Sequence, residues 1–265
     1  MKLKTKYPII LLHGTGTRDN NANSHSWGRI PKALKAQGAQ VYFGAHDAMG
    51  TIENNADMIK SSIEAALAAS NSDKINIIAL SKGGLDARYA ISTLDIADKV
   101  ASLTTIATPH HGSKAMDFIY FKLRLPLKIV AILVDKLYLT LGDKEPNFLK
   151  LCEQITTAHC KEFNKKIRNS EKVYYQSYAT IMKKPHSDML MFFQYLFVRH
   201  FEGECDGLVS LQSAKWDNFK GVFVSRSTRG ISHSDIRDMR KKPSKGLDSV
   251  KICMKIVKDL IDMGL

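Results

Sequence analysis

Apolar positions along this chain follow two alternating patterns. Continuous runs rich in β-branched residues occur at 7–12 (YPIILL), 74–80 (KINIIAL) and 100–108 (VASLTTIAT). Runs without polar alternation predict strands buried on both faces. VYFGAH at 41–46, VYYQSYAT at 173–180 and GVFVSRS at 221–227 predict three more strands. Helical spacing fills the intervals. SWGRIPKALKAQG forms a short helix ending at Gly38, and Ile52, Ala56, Ile59, Ile63 and Ala66 line one stripe of a helix over 52–69. Residues 84–94 form another helix, and 246–263 an amphipathic closing one.

Strands and helices taking turns in this way predict an α/β fold, a mostly parallel central sheet with helices on both faces. Ligands in such sheets bind at the carboxyl ends of the strands. His13-Gly14, Ser81 and Thr108-Pro109 all fall there. From about 112 to 167 the pattern is mostly helical and strandless. The chain therefore reads as a single domain, 1–265, with a helical insertion at about 112–170.

Composition agrees with one large core: 44% of the 265 residues are hydrophobic, and no linker or repeat divides them. The formal net charge of +13 suits anionic partners such as acidic lipid headgroups. Two basic groups, Lys161 to Lys184 and Arg237, Arg240, Lys241, Lys242 and Lys245, read as solvated faces. No aromatic interleaving or nucleic-acid motif accompanies them, so nucleic acid is not an expected partner. Cys152, Cys160, Cys205 and Cys253 lack metal-ligand spacing and read as buried, reduced thiols. With no signal-peptide pattern in MKLKTKYPIILLHG, a cytoplasmic location is the expectation. The apolar stretch 118–141 carries Lys122, Arg124, Lys128, Asp135 and Lys136, too many charges for a bilayer span.

The candidate chemistry starts at ALSKGG, residues 79–84. A serine hydroxyl needs a base to take its proton, and the base needs an acid to hold its tautomer. A sharp strand-to-helix turn exposes the serine, and small neighbours let helix and strand approach. Ala79 stands where the usual pattern has glycine. On its own the hexapeptide reads equally as a plain βα turn, Asp206-Gly207 as a turn pair and His233 as a surface histidine. His110-His111 reads as a turn, since adjacent side chains on an extended chain point apart.

Taken together, YPIILLHGTG, ALSKGGLDARY, TIATPHHGS, CKEFN, ECDGLVSLQSAKW and ISHSD resemble the bacterial triacylglycerol lipases of the Pseudomonas/Burkholderia type, members of the α/β-hydrolase fold. The resemblance runs from Tyr7 to about Met239 in the order Ser81, Asp206, His233. It implies a nucleophile at Ser81, a general base at His233 and an orienting acid at Asp206. It further implies an oxyanion hole from the backbone N–H groups of Thr15 and Lys82, with His13 supporting the turn. It also implies a structural Ca²⁺ held by Asp188 and Asp235, although Met239 replaces the family's glutamine. No other cofactor is implied. Leu80 replaces the family's histidine, and no cysteine pair matches its disulfide.

The insertion occupies the place of the family's lid. Its 118–141 stretch faces either a core or a lipid surface, and MLMFFQYLFV at 189–198 is either an acyl-pocket wall or a buried helix. The expected function is a serine carboxylic-ester hydrolase acting on acyl lipids through an acyl-enzyme. Transient contact with a lipid interface is expected, and the oligomeric state is left open. The alternatives are a phospholipase or acyltransferase at anionic membranes, or a catalytically silent lipid-binding relative.

Overall fold

The computed structural model describes residues 3–19, 26–223, 225, 227–243 and 248–265. Its strands are β1 (Ile9–Leu12), β2 (Val41–Phe43), β3 (Ile75–Leu80), β4 (Val100–Ile106), β5 (Tyr174–Thr180) and β6 (Phe219–Phe223). They make one sheet in the order β2-β1-β3-β4-β5-β6, with every neighbouring pair parallel. The helices are α1 (Ile30–Ala36), α2 (Ile52–Ser70), α3 (Gly83–Thr93), α4 (Lys114–Lys122), α5 (Arg124–Thr140), α6 (Phe148–Gln154) and α7 (Thr157–Lys166). After β5 come α8 (Phe192–Glu202), α9 (Leu211–Ala214), α10 (His233–Ile236) and α11 (Ser249–Asp262).

The strandwise alternation of side chains splits the core in two. Ile9, Leu11, Ile78 and Leu80 pack on one face with Ile30 and Leu34 of α1 and Cys253, Ile256 and Leu260 of α11. Ile10, Leu12, Ile77 and Ala79 pack on the other with Ile59 and Ile63 of α2 and Ala87 and Ile91 of α3. Both faces of the central strands are thus covered, which is why these strands show no polar alternation. All four cysteines are free and buried.

Four helices, α4 to α7, fill the insertion, with one isolated bridge between Ser113 and Thr156. The 118–141 stretch is two helices, not one. Pro126 has no N–H to donate and sits in the first turn of α5, where none is needed, so a new helix starts at Arg124. VYFGAH is strand only through Phe43. A Cβ on Gly44 would lie 2.4 Å from Leu12 Cδ2, so the chain approaches β1 closely and then bends to bring His46 onto His13. The last strand, expected over 221–227, is observed at Phe219–Phe223; Val224 and Arg226 lie outside the described residues. The expected start of the closing helix at Gly246, and Lys245 of the basic group, also lie outside them. That helix is capped by the Asp248 side chain. Among the described residues no helix is long and apolar enough to cross a membrane.

Candidate active site

β3 ends at Leu80 and α3 begins at Gly83, so Ser81 and Lys82 alone make the turn. Ser81 has φ +51°, a left-handed conformation that costs energy for a residue with a Cβ. Its N–H donates to the Ile106 carbonyl at 3.0 Å, and its carbonyl accepts from Gly84 N at 3.1 Å. The end of β1 crosses tightly beneath this elbow. A Cβ on Gly83 would fall 2.2 Å from the His13 carbonyl oxygen, and one on Gly14 would fall 2.6 Å from Ser81 Cβ. The glycines after the serine therefore answer to packing. Ala79, in place of a glycine, is fully buried within the apolar layer shared with α2 and α3.

Asp206 follows β5 and His233 opens α10 after β6. His233 Nδ1 lies 2.8 Å from Asp206 Oδ2, and His233 N donates to the Asp206 carbonyl at 2.8 Å. Thr180 Oγ1 donates to the same Oδ2 at 2.9 Å, while the amides of Leu208 and Val209 donate to Oδ1 at 3.0 and 2.9 Å. The carboxylate is thus fully buried yet fully satisfied, its position set by a tight turn at Gly207 (φ +109°). Thr180 carries no spacing signal in the sequence, and only the end of β5 brings it here.

Ser81 opens onto a cavity of about 270 Å³ with a mostly apolar lining that includes Met116, Ile119, Leu151, Phe197 and Val198. Thr15 and Lys82 line the same cavity, and among the described residues neither of their backbone N–H groups donates a hydrogen bond. Two unengaged donors beside a serine can receive a developing oxyanion. Among the described residues no hydrogen bond joins Ser81 Oγ to His233, but the two segments are fastened through a third. Arg237, just beyond α10, donates to the Thr15 carbonyl at 3.4 Å and to Thr17 Oγ1. Arg237 is therefore buried structure and not part of a solvated face.

The Lys82 side chain runs into the protein, where Nζ meets Asp86 Oδ1 at 2.6 Å and Asn55 Nδ2 donates to Asp86 Oδ2 at 2.9 Å. Burial pushes the Asp86 carboxyl up to about 6, against the pull of Lys82 and Asn55. The spacing of four between Lys82 and Asp86 is visible in the sequence; the burial is not. His13 and His46 stack with ring centroids 3.7 Å apart; His46 Nε2 donates to the His13 carbonyl at 3.0 Å, and the His13 ring lies within hydrogen-bond distance of the Gly14 carbonyl (Nδ1, 2.7 Å) and the His46 carbonyl (Nε2, 3.1 Å). His110 is buried between Arg88 and Thr105, while exposed His111 reaches the Lys215 carbonyl. The two rings do point apart.

Asp188 and Asp235 also come together, as the resemblance implies, but a guanidinium lies between them. Arg240 Nη2 meets Asp188 Oδ1 at 2.7 Å and Nη1 meets Asp235 Oδ1 at 3.4 Å. Asp188 Oδ2 already accepts from the hydroxyls of Ser232 (2.5 Å) and Ser234. Burial alone would raise the Asp188 carboxyl, yet these hydroxyls, Arg240 and the Leu190 amide together hold it below its ordinary value. Asp235 Oδ2 accepts from Ser232 N at 3.2 Å and approaches Arg229. The arrangement does not fit a hard divalent ion, which needs six or more free oxygens. Among the described residues no group of three or more His, Cys, Asp or Glu side chains could hold a metal.

The family description palmitoyl protein thioesterase matches residues 8–185, about two thirds of the chain. The chain belongs to this family. The matched span includes Ser81 and the Thr15 segment and ends before Asp206 and His233. This family member is 30% identical to triacylglycerol lipase 2 of Saccharomyces cerevisiae over 82% of its own length and 63% of the yeast protein. It is 35% identical to a triacylglycerol lipase of Vibrio cholerae, over 44% of this chain and 36% of that one. It is 25% identical to a triacylglycerol lipase of Pseudomonas fragi over 99% of both. The chain thus spans less than two thirds of the first two of these. The resemblance to bacterial triacylglycerol lipases expected from the sequence holds.

Solved structures agree on the fold. A Bacillus licheniformis lipase superposes with a TM-score of 0.68 at 19% identity, covering 96% of this chain and 92% of that one. A Staphylococcus hyicus lipase gives 0.70 at 16% identity, covering 98% and 96%. The family member has the α/β-hydrolase fold.

Proposed function

We propose that this chain is a serine carboxylic-ester hydrolase that cleaves acyl esters of lipids through an acyl-enzyme. The observation that carries the reading is Ser81, held at positive φ on a strand-to-helix elbow and opening onto an apolar cavity. Ser81 Oγ attacks the ester carbonyl and forms a C–O bond, while its proton passes to His233 Nε2. Asp206, on Nδ1, holds the tautomer that leaves Nε2 as acceptor. The carbonyl oxygen takes up negative charge beside the Thr15 and Lys82 amides. Collapse expels the alcohol, protonated by His233, and water repeats the sequence on the acyl-enzyme. The Ser81–His233 hydrogen bond forms as substrate seats, as is common where free-state catalytic bonds are long.

The exposed face of α5 supports lipid contact. Leu125, Ile129 and Leu133, four residues apart, are exposed, as are Phe193 of α8 and Leu190 just before it. Arg124 and Lys128 flank the apolar row, and the net charge of +13 favours anionic headgroups. A long-chain acyl thioester is a second substrate class, favoured by the family match over 8–185. The elbow and oxyanion donors serve either carbonyl.

A fluorophosphonate probe should label the wild type and not Ser81→Ala. Hydrolysis of p-nitrophenyl esters from acetyl to palmitoyl should fall at least about 1000-fold in Ser81→Ala. Labelling that survives the substitution would refute the nucleophile; a wild type that never labels would favour the silent lipid-binding alternative. Rates on palmitoyl thioester, phospholipid and triacylglycerol rank the substrate classes.

A further inference from the structure

We propose that Arg240 is a built-in cation in the place of a divalent ion, and that through Asp188 it positions the histidine loop. The Asp188 side chain is fully buried, and its Oδ2 accepts from the hydroxyls of Ser232 and Ser234, the two neighbours of His233. Ser232 is also the N-cap of α10, closed by a reciprocal box with Asp235. One carboxylate therefore grips the chain on both sides of the imidazole. A buried carboxylate is stabilised by a nearby counter-charge. Arg240 supplies it, with Nη2 on Asp188 and Nη1 on Asp235, so that one planar fork spans the segment after β5 and the start of α10. The arginine lies just past the short helix that His233 opens, and its side chain is about one third exposed, so the fork closes from the solvent side.

Two consequences follow for the 265-residue chain. Calorimetry with Ca²⁺ should show no binding, and millimolar calcium or chelator should leave both Tm and ester hydrolysis unchanged. Arg240→Ala should lower kcat for p-nitrophenyl acetate roughly 10- to 100-fold while KM stays within about twofold, because a displaced base slows chemistry without altering the acyl cavity. Arg240→Lys keeps the charge but loses the two-pronged reach, and its kcat should fall in between. Calcium binding by the wild type, or a Tm that drops on chelation, would overturn the proposal. So would wild-type kcat in Arg240→Ala, or in Arg240→Lys should the alanine variant fail to fold. The kinetic arm rests on His233 as the base; the calcium arm does not. A chain inert toward every ester would therefore refute the functional reading while leaving calcium independence to its own result.

Discussion

Ser81 sits in a backbone conformation that its own side chain disfavours, and the surrounding glycines hold it there. Gly83 is the tightest of these contacts, because a Cβ would meet a backbone oxygen of β1's extension and not a yielding side-chain end. Gly83→Ala should therefore push the His13–Thr15 segment away from the elbow. We expect a loss of about 1–3 kcal/mol in urea denaturation, as for other overpacked sites, together with a fall in kcat. A variant as stable and active as the wild type would mean that the elbow relaxes freely. Asp206 illustrates the opposite case, a buried charge without strain. Its two oxygens accept from two amides, a threonine hydroxyl and an imidazole, so nothing is left unpaired.

At the scale of elements, the insertion divides its apolar residues between two tasks. Leu127 and Ala131 of α5 are buried toward α4 and α6, whereas Leu125, Ile129 and Leu133 face outward, with Leu125 73% exposed and Leu133 64%. α8 does likewise, turning Phe197 and Val198 to the cavity and Phe193 out at 79% exposure. The stretch 189–198 is thus a cavity wall on one side and an exposed apolar face on the other. Substituting an outward residue should not disturb folding. Leu133→Asp should keep the wild-type Tm and its rate on soluble p-nitrophenyl acetate. Its rate on a long-chain ester presented in anionic vesicles should drop about tenfold, the equivalent of one lost leucine burial. An unchanged vesicle rate would remove α5 from the lipid contact.

Across the whole molecule, buried imidazoles govern the acid side of stability. His46 is held well below its ordinary value by burial, then by His13 and the charges of Lys82 and Arg18; His110 is held there by burial, then by Arg88 and His111. Both stay neutral in the fold and protonate on unfolding near 6.5, so their contribution is present above that pH and is lost as pH falls below it. Each costs at most about 1.4 kcal/mol per pH unit. Asp86 acts in the opposite sense. Pushed up to about 6, it binds its proton in the fold first, so its contribution grows as pH falls from 6 towards the ordinary aspartate range. Below pH 6.5 the two histidines together outweigh Asp86, so the urea midpoint should decline from about pH 6.5 downward. Asp188, held below its ordinary value, adds a further loss only at lower pH. A midpoint flat from pH 7.5 to 5 would contradict neutral burial of His46 and His110.

Periodicity and short motifs determined the strand order in the chain, the strand-to-helix turn at Ser81 and the helical insertion, because each is written in local spacing or in a contiguous stretch; Asp206 and His233 were singled out only by the family resemblance. Only the tertiary structure decided what faces what. Thr180 and Asp206 meet because β5 ends beside the acid loop, although 26 residues separate them. Arg237 and Arg240 look like members of a solvated basic run and are instead buried or paired, because the loop after β6 folds back onto Thr15 and Asp188. Asp188 and Asp235 were legible as a pair, but the cation between them was not. A charge in the sequence carries no record of the partner that desolvates it, and that partner is chosen by the path of the backbone through space.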